Sequence, residues 1–111
     1  MGGETTVNIK GTGLGGRNQE MALRLAMLCE ELPGNWAILA GGTDGRDGPT
    51  DAAGGIITRD TIARAKANGA DPISMLENND SYHALKAAGD LLVTGATGTN
   101  VADVVIFVRE L

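Results

Sequence analysis

The first half of the chain alternates short apolar runs with connections that are rich in glycine and charge. Residues 4–10 (ETTVNIK) hold four β-branched side chains and predict a strand. Apolar residues recur at i, i+4, i+7 and i+11 from Met21, which is the period of a helix and predicts one over residues 17–32. Pro33 ends this helix. Residues 36–40 are wholly apolar, a pattern typical of a buried parallel strand.

The second half predicts three more helices and three more strands. Residues 54–57 form the first of these strands, and Thr58 is a suitable N-cap for a helix over residues 58–68. Gly69 supplies the left-handed conformation that ends it, and Asp71 with Pro72 is the start signal of the next helix. The remaining predicted elements are helices over residues 72–77 and 81–88 and strands over residues 91–94 and 104–108.

Strands that alternate with helices predict an α/β fold, because this order places helices on the faces of a sheet. We expect one compact domain over residues 1–111, with a mostly parallel or mixed sheet. The sequence contains no internal repeat and no stretch with the composition of an interdomain linker. The order of the strands in the sheet stays open, since several helices separate the middle strands from the last ones.

Charge and composition exclude several classes of function. The net charge is −5 and the chain has only three aromatic residues, which argues against a nucleic-acid or anionic membrane surface. Cys29 is the single cysteine, so an internal disulfide is impossible, and a cytoplasmic protein is expected. No apolar run approaches the roughly 20 residues that cross a bilayer, and no signal-peptide pattern opens the sequence.

Glycine is over-represented, at 17 of 111 residues, and it gathers in loops that follow predicted strands. In open α/β sheets, ligands collect at such loops. Residues 11–16 fit the pattern G-x-G-x-x-G between a strand and a helix, where helix N–H groups favour an anion. Arg17 adds a planar donor for a carboxylate or phosphate, although a solvated turn is the alternative. The candidate anion-binding residues here are Gly13, Gly15, Gly16, Arg17 and Asn18.

Two later loops carry further candidates. Asp44 follows a buried strand, where a carboxylate can accept a proton from a substrate hydroxyl or hold Mg²⁺ through water. Asp47 and Asp51, in the same loop, have turn formation as an equal alternative. Hydroxyls and N–H groups in the last loop can cradle a phosphate or a polar substrate, or simply form a turn. Its candidate residues are Thr97, Gly98, Thr99 and Asn100.

The remaining polar features favour structural roles. Residues 78–81 (NNDS) make a polar corner that helix capping largely explains. His83 lies inside a short helix without an evident partner, and Cys29 has no activating base near it in sequence. Since no Cys/His cluster has the spacing of metal ligands, a zinc site is not expected.

Five motifs, in this order, resemble the MOFRL domain, the smaller C-terminal domain of glycerate kinases that are often named hydroxypyruvate reductases. The motifs are GGETTV, GTGLGGRNQE, GGTDGRDGPTDAAG, NNDSY and LLVTGATGTNVAD. The resemblance implies phosphoryl transfer from ATP to a hydroxyl of D-glycerate, with Mg²⁺. It also implies an active site shared with a larger N-terminal Rossmann-like domain that supplies an essential lysine. Arg17 and Asp44 match the family's catalytic positions, and the domain alone is expected to have little or no activity.

Two alternatives stay open beside the kinase. A dinucleotide-binding oxidoreductase would need an acidic residue about 20 residues beyond the glycines to hold a ribose. That position falls near Trp36 in an apolar run, and Asp44 comes 28 residues after Gly16. A non-catalytic binding or assembly module is the other alternative, in which an exposed interdomain face drives oligomerisation.

Overall fold

Four helices and four strands make up the part of the chain that the computed structural model describes, residues 13–43, 45, 47, 49–94 and 103–109. The predicted strand at residues 4–10 lies outside this part. The elements are α1 (Arg17–Leu28), β1 (Trp36–Gly42), β2 (Gly54–Thr58), α2 (Thr61–Ala67), α3 (Pro72–Glu77), α4 (Ser81–Ala88), β3 (Leu91–Leu92) and β4 (Asp103–Arg109).

The four described strands form one sheet in the order β3-β2-β1-β4, and every neighbouring pair is antiparallel. The α/β class is therefore confirmed, whereas the expectation of a mostly parallel or mixed sheet is wrong. The physical reason lies between β1 and β2, where no helix intervenes in the described part of the connection. Parallel neighbours need a long crossover, but antiparallel neighbours can be joined by a loop.

The core lies between the helices and one face of β1 and β2. Ile38 pairs with Ile57 in the sheet, and both side chains are buried against α1. The close approach of the helix depends on small residues, because a Cβ at Gly55 would lie 3.0 Å from the Cβ of Ala22. The other buried apolar residues of this core include Leu23, Ala26, Trp36, Ala40, Ile62, Ala84 and Leu85.

Helix α1 is shorter than predicted and buries a different set of residues from its apolar stripe. It ends at Leu28 instead of residue 32. Met21 is 40% exposed and Leu28 is 78% exposed, so the stripe that indicated the helix is not its buried face. The buried face instead consists of Asn18, Gln19, Glu20, Ala22, Leu23 and Ala26. Three polar residues therefore face inward at the start of α1.

Local start and stop signals determine the short helices. Asp71 accepts a hydrogen bond from the Ser74 amide at 3.3 Å and Pro72 opens α3, as predicted. Gly69 and Gly89 have φ values of +86° and +77°, the left-handed conformation expected after a helix. Thr58 is not the cap of α2, which begins at Thr61 after Asp60. Within the described residues, no helix is both long and apolar enough to cross a membrane.

Strand β4 differs from the rest of the sheet because four of its five apolar side chains are exposed, and these four lie on both faces. Helix α1 lies over β1 and β2 rather than over β4. Phe107 shares the helix-facing side with Ile38 and is 50% exposed, while Ile106 pairs with Leu39 and is 48% exposed. In the described structure the core is therefore built on β1 and β2 in the middle of the sheet, and few buried side chains come from β4.

Candidate functional site

The first turn of α1 is capped by a carboxylate from the loop that follows β1. The amides of Asn18 and Gln19 donate to the two oxygens of Asp47 at 3.0 and 2.8 Å. Asp47 is 1% exposed. The helix N-terminus thus binds an anion, as this geometry favours, but the anion belongs to the protein itself.

A buried glutamine strengthens this cap. The Gln19 amide nitrogen lies 3.0 Å from Asp47 Oδ2, 3.1 Å from the Asp47 carbonyl oxygen and 2.8 Å from Thr50 Oγ1. The Thr50 hydroxyl in turn donates to the Asp47 carbonyl at 2.8 Å. Gln19 does not stand out in the sequence, because the apolar stripe from Met21 indicates a different buried face for this helix and the partner of Gln19 is remote in sequence.

Beside the cap, Arg17 and Asp103 form a two-pronged ion pair. Arg17 Nε donates to Asp103 Oδ2 at 2.6 Å, and Nη2 donates to Oδ1 at 3.0 Å. This bond to Arg17 is the main reason why the pKa of Asp103 is lowered, and a bond from Asn18 adds to it, while partial burial acts in the opposite direction. The two side chains are 25% and 27% exposed, so solvent reaches the pair.

Asn18 connects the buried cap to the exposed ion pair. Its side-chain amide lies 3.3 Å from Asp47 Oδ1 and 3.0 Å from Asp103 Oδ1. The predicted site residues Arg17 and Asn18 are therefore brought together with Asp47. Asp103 stands only at the margin of the last predicted loop in the sequence, and no local pattern links it to α1 86 residues earlier.

The glycine loop before α1 packs against the polar corner between α3 and α4. The Leu14 amide donates to Asp80 Oδ1 at 2.9 Å, and the Tyr82 amide donates to the Leu14 carbonyl at 2.9 Å. A side chain at Gly13 would collide with Asp80, and one at Gly15 would collide with the Ser81 hydroxyl. These two glycines are thus required by contacts within the chain.

Gly16 faces a different neighbour. A Cβ at Gly16 would lie 2.5 Å from the carboxyl carbon of Asp47, so the cap itself demands glycine at this position. The described geometry of all three candidate glycines is therefore explained by close approach of protein atoms.

Two further contacts lie at this corner. The Tyr82 hydroxyl donates to Asp51 Oδ1 at 2.9 Å, which raises the pKa of Tyr82. His83 Nδ1 lies 2.6 Å from Asp80 Oδ1, the oxygen that also accepts the Leu14 amide. His83 thus has a partner that the sequence did not reveal, and Asp51 makes a contact between its loop and α4.

The other candidate residues are Asp44, Thr97, Gly98, Thr99 and Asn100, and they lie outside the described residues. Their roles stay predictions. Within the ranges that are described, no group of three or more His, Cys, Asp or Glu side chains could hold a metal ion. Asp47 and Asp103, two carboxylates beside the start of α1, are engaged by helix amides and by Arg17.

A sequence profile described as the MOFRL family matches residues 1–103. The chain belongs to the MOFRL family. The resemblance that the five motifs indicate is thereby confirmed.

Named relatives of this chain include glycerate kinases and proteins provisionally named hydroxypyruvate reductase, and those given below are longer than this chain. The D-glycerate 2-kinase of Thermotoga maritima is 57% identical over 105 residues, which are 95% of this chain and 25% of that protein. A protein of Agrobacterium vitis, provisionally named hydroxypyruvate reductase, is 50% identical over 105 residues, 93% of this chain and 24% of that protein. The crystal structure of Thermotoga maritima glycerate kinase matches with a TM-score of 0.90 and 55% identity, over 98% of this chain and 26% of that one. The chain therefore spans about a quarter of the length of these relatives.

Proposed function

We propose that this chain is the small, C-terminal domain of an ATP-dependent glycerate kinase. In this proposal it forms one wall of an active site, and a larger N-terminal domain forms the other. The observation that carries the proposal is Arg17, a partly exposed guanidinium held by two bonds at the start of α1. Family membership supplies the reaction class, because the kinase named above matches nearly the whole chain.

The chemistry of phosphoryl transfer suits such an arginine. The reaction needs reactants in line and compensation of the negative charge on the phosphoryl oxygens. In our proposal Arg17 binds either the glycerate carboxylate or the phosphoryl group that moves, since its planar group matches both. Asp44 stays the proposed base for the substrate hydroxyl or a ligand of Mg²⁺.

The described residues by themselves do not fit a magnesium site, as the carboxylates beside α1 already have partners. In the proposal these carboxylates therefore do not hold the metal. In the proposal Mg²⁺ arrives with ATP as part of the substrate, and the larger domain provides an essential lysine. Lys66 and Lys86 of this chain lie on helices α2 and α4 rather than in a glycine loop.

A dinucleotide-dependent reductase is the alternative that the relatives' names raise, and one observation counts against it. In dinucleotide-binding folds the pyrophosphate lies at the N-terminus of the helix after the glycines. In this chain the carboxylate of Asp47 accepts hydrogen bonds from the amides of that turn. A pyrophosphate would have to displace a buried carboxylate that four hydrogen-bonding contacts from Asn18 and Gln19 hold.

A chimeric enzyme tests the kinase proposal. This chain replaces the matching quarter of the Thermotoga maritima D-glycerate 2-kinase, and ATP-dependent phosphorylation of D-glycerate is measured. We expect the chimera to be active and the Arg17→Ala variant to lose about 100-fold or more in kcat/KM, equivalent to about 2.7 kcal/mol. The chain without the larger domain should show little or no activity.

The matched control is Arg24→Ala. Arg24 lies on the same helix, pairs with Glu20 at 3.1 Å and has a side chain that is 59% exposed, so its removal should leave activity within about twofold. A loss below about tenfold for Arg17→Ala would exclude the role that we assign to Arg17. NADH-dependent reduction of hydroxypyruvate by the chimera, without phosphorylation of glycerate, would favour the reductase.

A further inference from the structure

We propose that Asp103 is a positioning residue that sets the orientation of the Arg17 guanidinium for phosphoryl transfer. The inference rests on the proposed function and adds a residue to its site. It starts from the two contacts at 2.6 and 3.0 Å, which involve Nε and Nη2 of Arg17 and both carboxylate oxygens of Asp103. Because the guanidinium is planar, a partner on the edge formed by Nε and Nη2 leaves Nη1 and the second N–H of Nη2 directed away from Asp103.

Asp103 can hold Arg17 because it is itself held. The Asn18 side-chain amide donates to Asp103 Oδ1 at 3.0 Å and also lies 3.3 Å from Asp47 Oδ1. Asp47 is fixed in turn by the first amides of α1. A continuous set of polar contacts therefore runs from the buried cap through Asn18 and Asp103 to Arg17.

Such an arrangement has a catalytic use. Arginine has a long side chain with many rotamers, and a reacting group that is even 1 Å out of place can cost a large part of the rate. A bidentate partner with its own support removes most of that freedom before substrate binds. Asp103 need not touch the substrate for this purpose, since it acts through Arg17.

A purely structural ion pair would behave differently. Asp90 provides the comparison, because its Oδ2 accepts from Arg64 Nη2 at 2.6 Å and from the Thr61 hydroxyl at 2.6 Å, and so joins α2 to the end of α4. Loss of that carboxylate should lower the stability of the fold and leave the kinetics of the folded enzyme unchanged. Loss of Asp103 should instead lower the rate of the folded enzyme and change the stability of the fold little, because a partly exposed ion pair adds little stability.

The first experiment measures steady-state kinetics of the active chimera with Asp103→Asn and with the matched control Asp90→Asn. We expect Asp103→Asn to lower kcat/KM for D-glycerate about 10-fold to 100-fold, with a small change in the thermal midpoint. Asp90→Asn should lower the midpoint and keep kcat/KM within about twofold at a temperature where it is folded. Asp103→Glu, which keeps the carboxylate, should recover part of the lost rate.

The second experiment uses guanidinium ion, at a concentration too low to denature, to rescue Arg17→Ala. If Asp103 positions the guanidinium, the added ion should restore activity to Arg17→Ala but not to the double variant Arg17→Ala/Asp103→Asn. Without guanidinium, the double variant should be no less active than Arg17→Ala, because Asp103 acts only through Arg17. Neither result follows from a role in stability alone.

Three outcomes would overturn the inference. If Asp103→Asn equals the unsubstituted chimera in kcat/KM while Arg17→Ala is inactive, the proposed function stands and the role of Asp103 is rejected. Tighter glycerate binding or faster turnover in Asp103→Asn would mean that Asp103 competes with the substrate for Arg17. Full activity of Arg17→Ala would reject the role assigned to Arg17, and the inference with it, while the kinase reaction of the chimera would still stand.

Discussion

Asp47 and Asp103 are carboxylates beside the same helix turn, and their surroundings give them different properties. Asp47 is buried and accepts hydrogen bonds from two backbone amides, so it belongs to the framework of α1. Asp103 lies within reach of solvent and pairs with a guanidinium. At the scale of single residues, the first carboxylate completes a helix and the second orients a cation.

The lowered pKa of Asp103 predicts a pH-dependent contribution to stability. An aspartate whose pKa is lower in the folded chain than in the unfolded one stabilises the fold above its unfolded pKa of about 3.9. That stabilisation is lost as the pH falls from about 5 through the lowered pKa. We expect the difference in free energy of unfolding between the chain and Asp103→Asn to shrink as the pH falls through this window.

Urea unfolding of both chains at a series of pH values measures this difference. The comparison cancels the contributions of the other carboxylates to the pH dependence of the free energy of unfolding, because both chains contain them. A difference that stays constant from about pH 6 to about pH 2 would contradict the assignment of the shift to the Arg17 contact.

At the scale of elements, α1 differs from α3 in the origin of its cap. Asp71 caps α3 locally, with an oxygen 3.3 Å from the Ser74 amide. The N-cap of α1 is Gly16, which has no side chain, and Asp47 supplies the oxygens from 28 and 29 residues away in sequence. The start of α1 therefore depends on the loop after β1, whereas α3 carries its own start signal.

This difference predicts unequal costs of removing the two caps. Asp47→Ala would leave two helix amides without their acceptor and remove one of the three acceptors of the buried Gln19 side chain, so we expect a loss of about 3 kcal/mol in the free energy of unfolding. Asp71→Ala, at an exposed local cap, should cost about 1 kcal/mol. Chemical denaturation of the two variants measures both values, and equal losses would contradict a special role for Asp47.

The elements also show which parts of the fold could be predicted. The bounds of α3 and α4 agree with prediction, because Asp71, Pro72 and Gly89 act within their own turns. The direction of the strands could not be predicted, since an apolar run such as that of β1 suits either kind of sheet.

The same limit explains the outcome at the candidate site. The sequence singled out Arg17 and Asn18 through a local glycine pattern, and the structure brings these two residues together with Asp47. The sequence could not show that the amides of Asn18 and Gln19 are bonded to Asp47, because Asp47 is remote from them in sequence. Gln19 and Asp103 were missed as members of the site for the same reason.

At the scale of the whole molecule, the described sheet has one well-covered face and a strand with little cover. Ile57 in β2 is fully buried under α1, while Ile106 in β4 is 48% exposed on the opposite face of the sheet. The stability of the chain should therefore depend on the middle of the sheet rather than on β4.

Matched isoleucine substitutions test this asymmetry. We expect Ile57→Ala to lower the free energy of unfolding by about 2–5 kcal/mol, since it leaves a cavity in the core. Ile106→Ala should cost less than about half as much, because its side chain already meets solvent. Similar losses at the two positions, measured by chemical denaturation, would show that β4 is more fully covered than the described residues indicate.

The ion pair between Arg17 and Asp103 has a consequence for how the protein is made. Its two partners are 86 residues apart, so the arginine leaves the ribosome long before the carboxylate that orients it. Helix α1 can form and meet β1 and β2 early, but contacts of such wide separation are closed late because they cost the most chain entropy. We therefore expect the candidate site to be completed after the part of the core that α1 forms with β1 and β2.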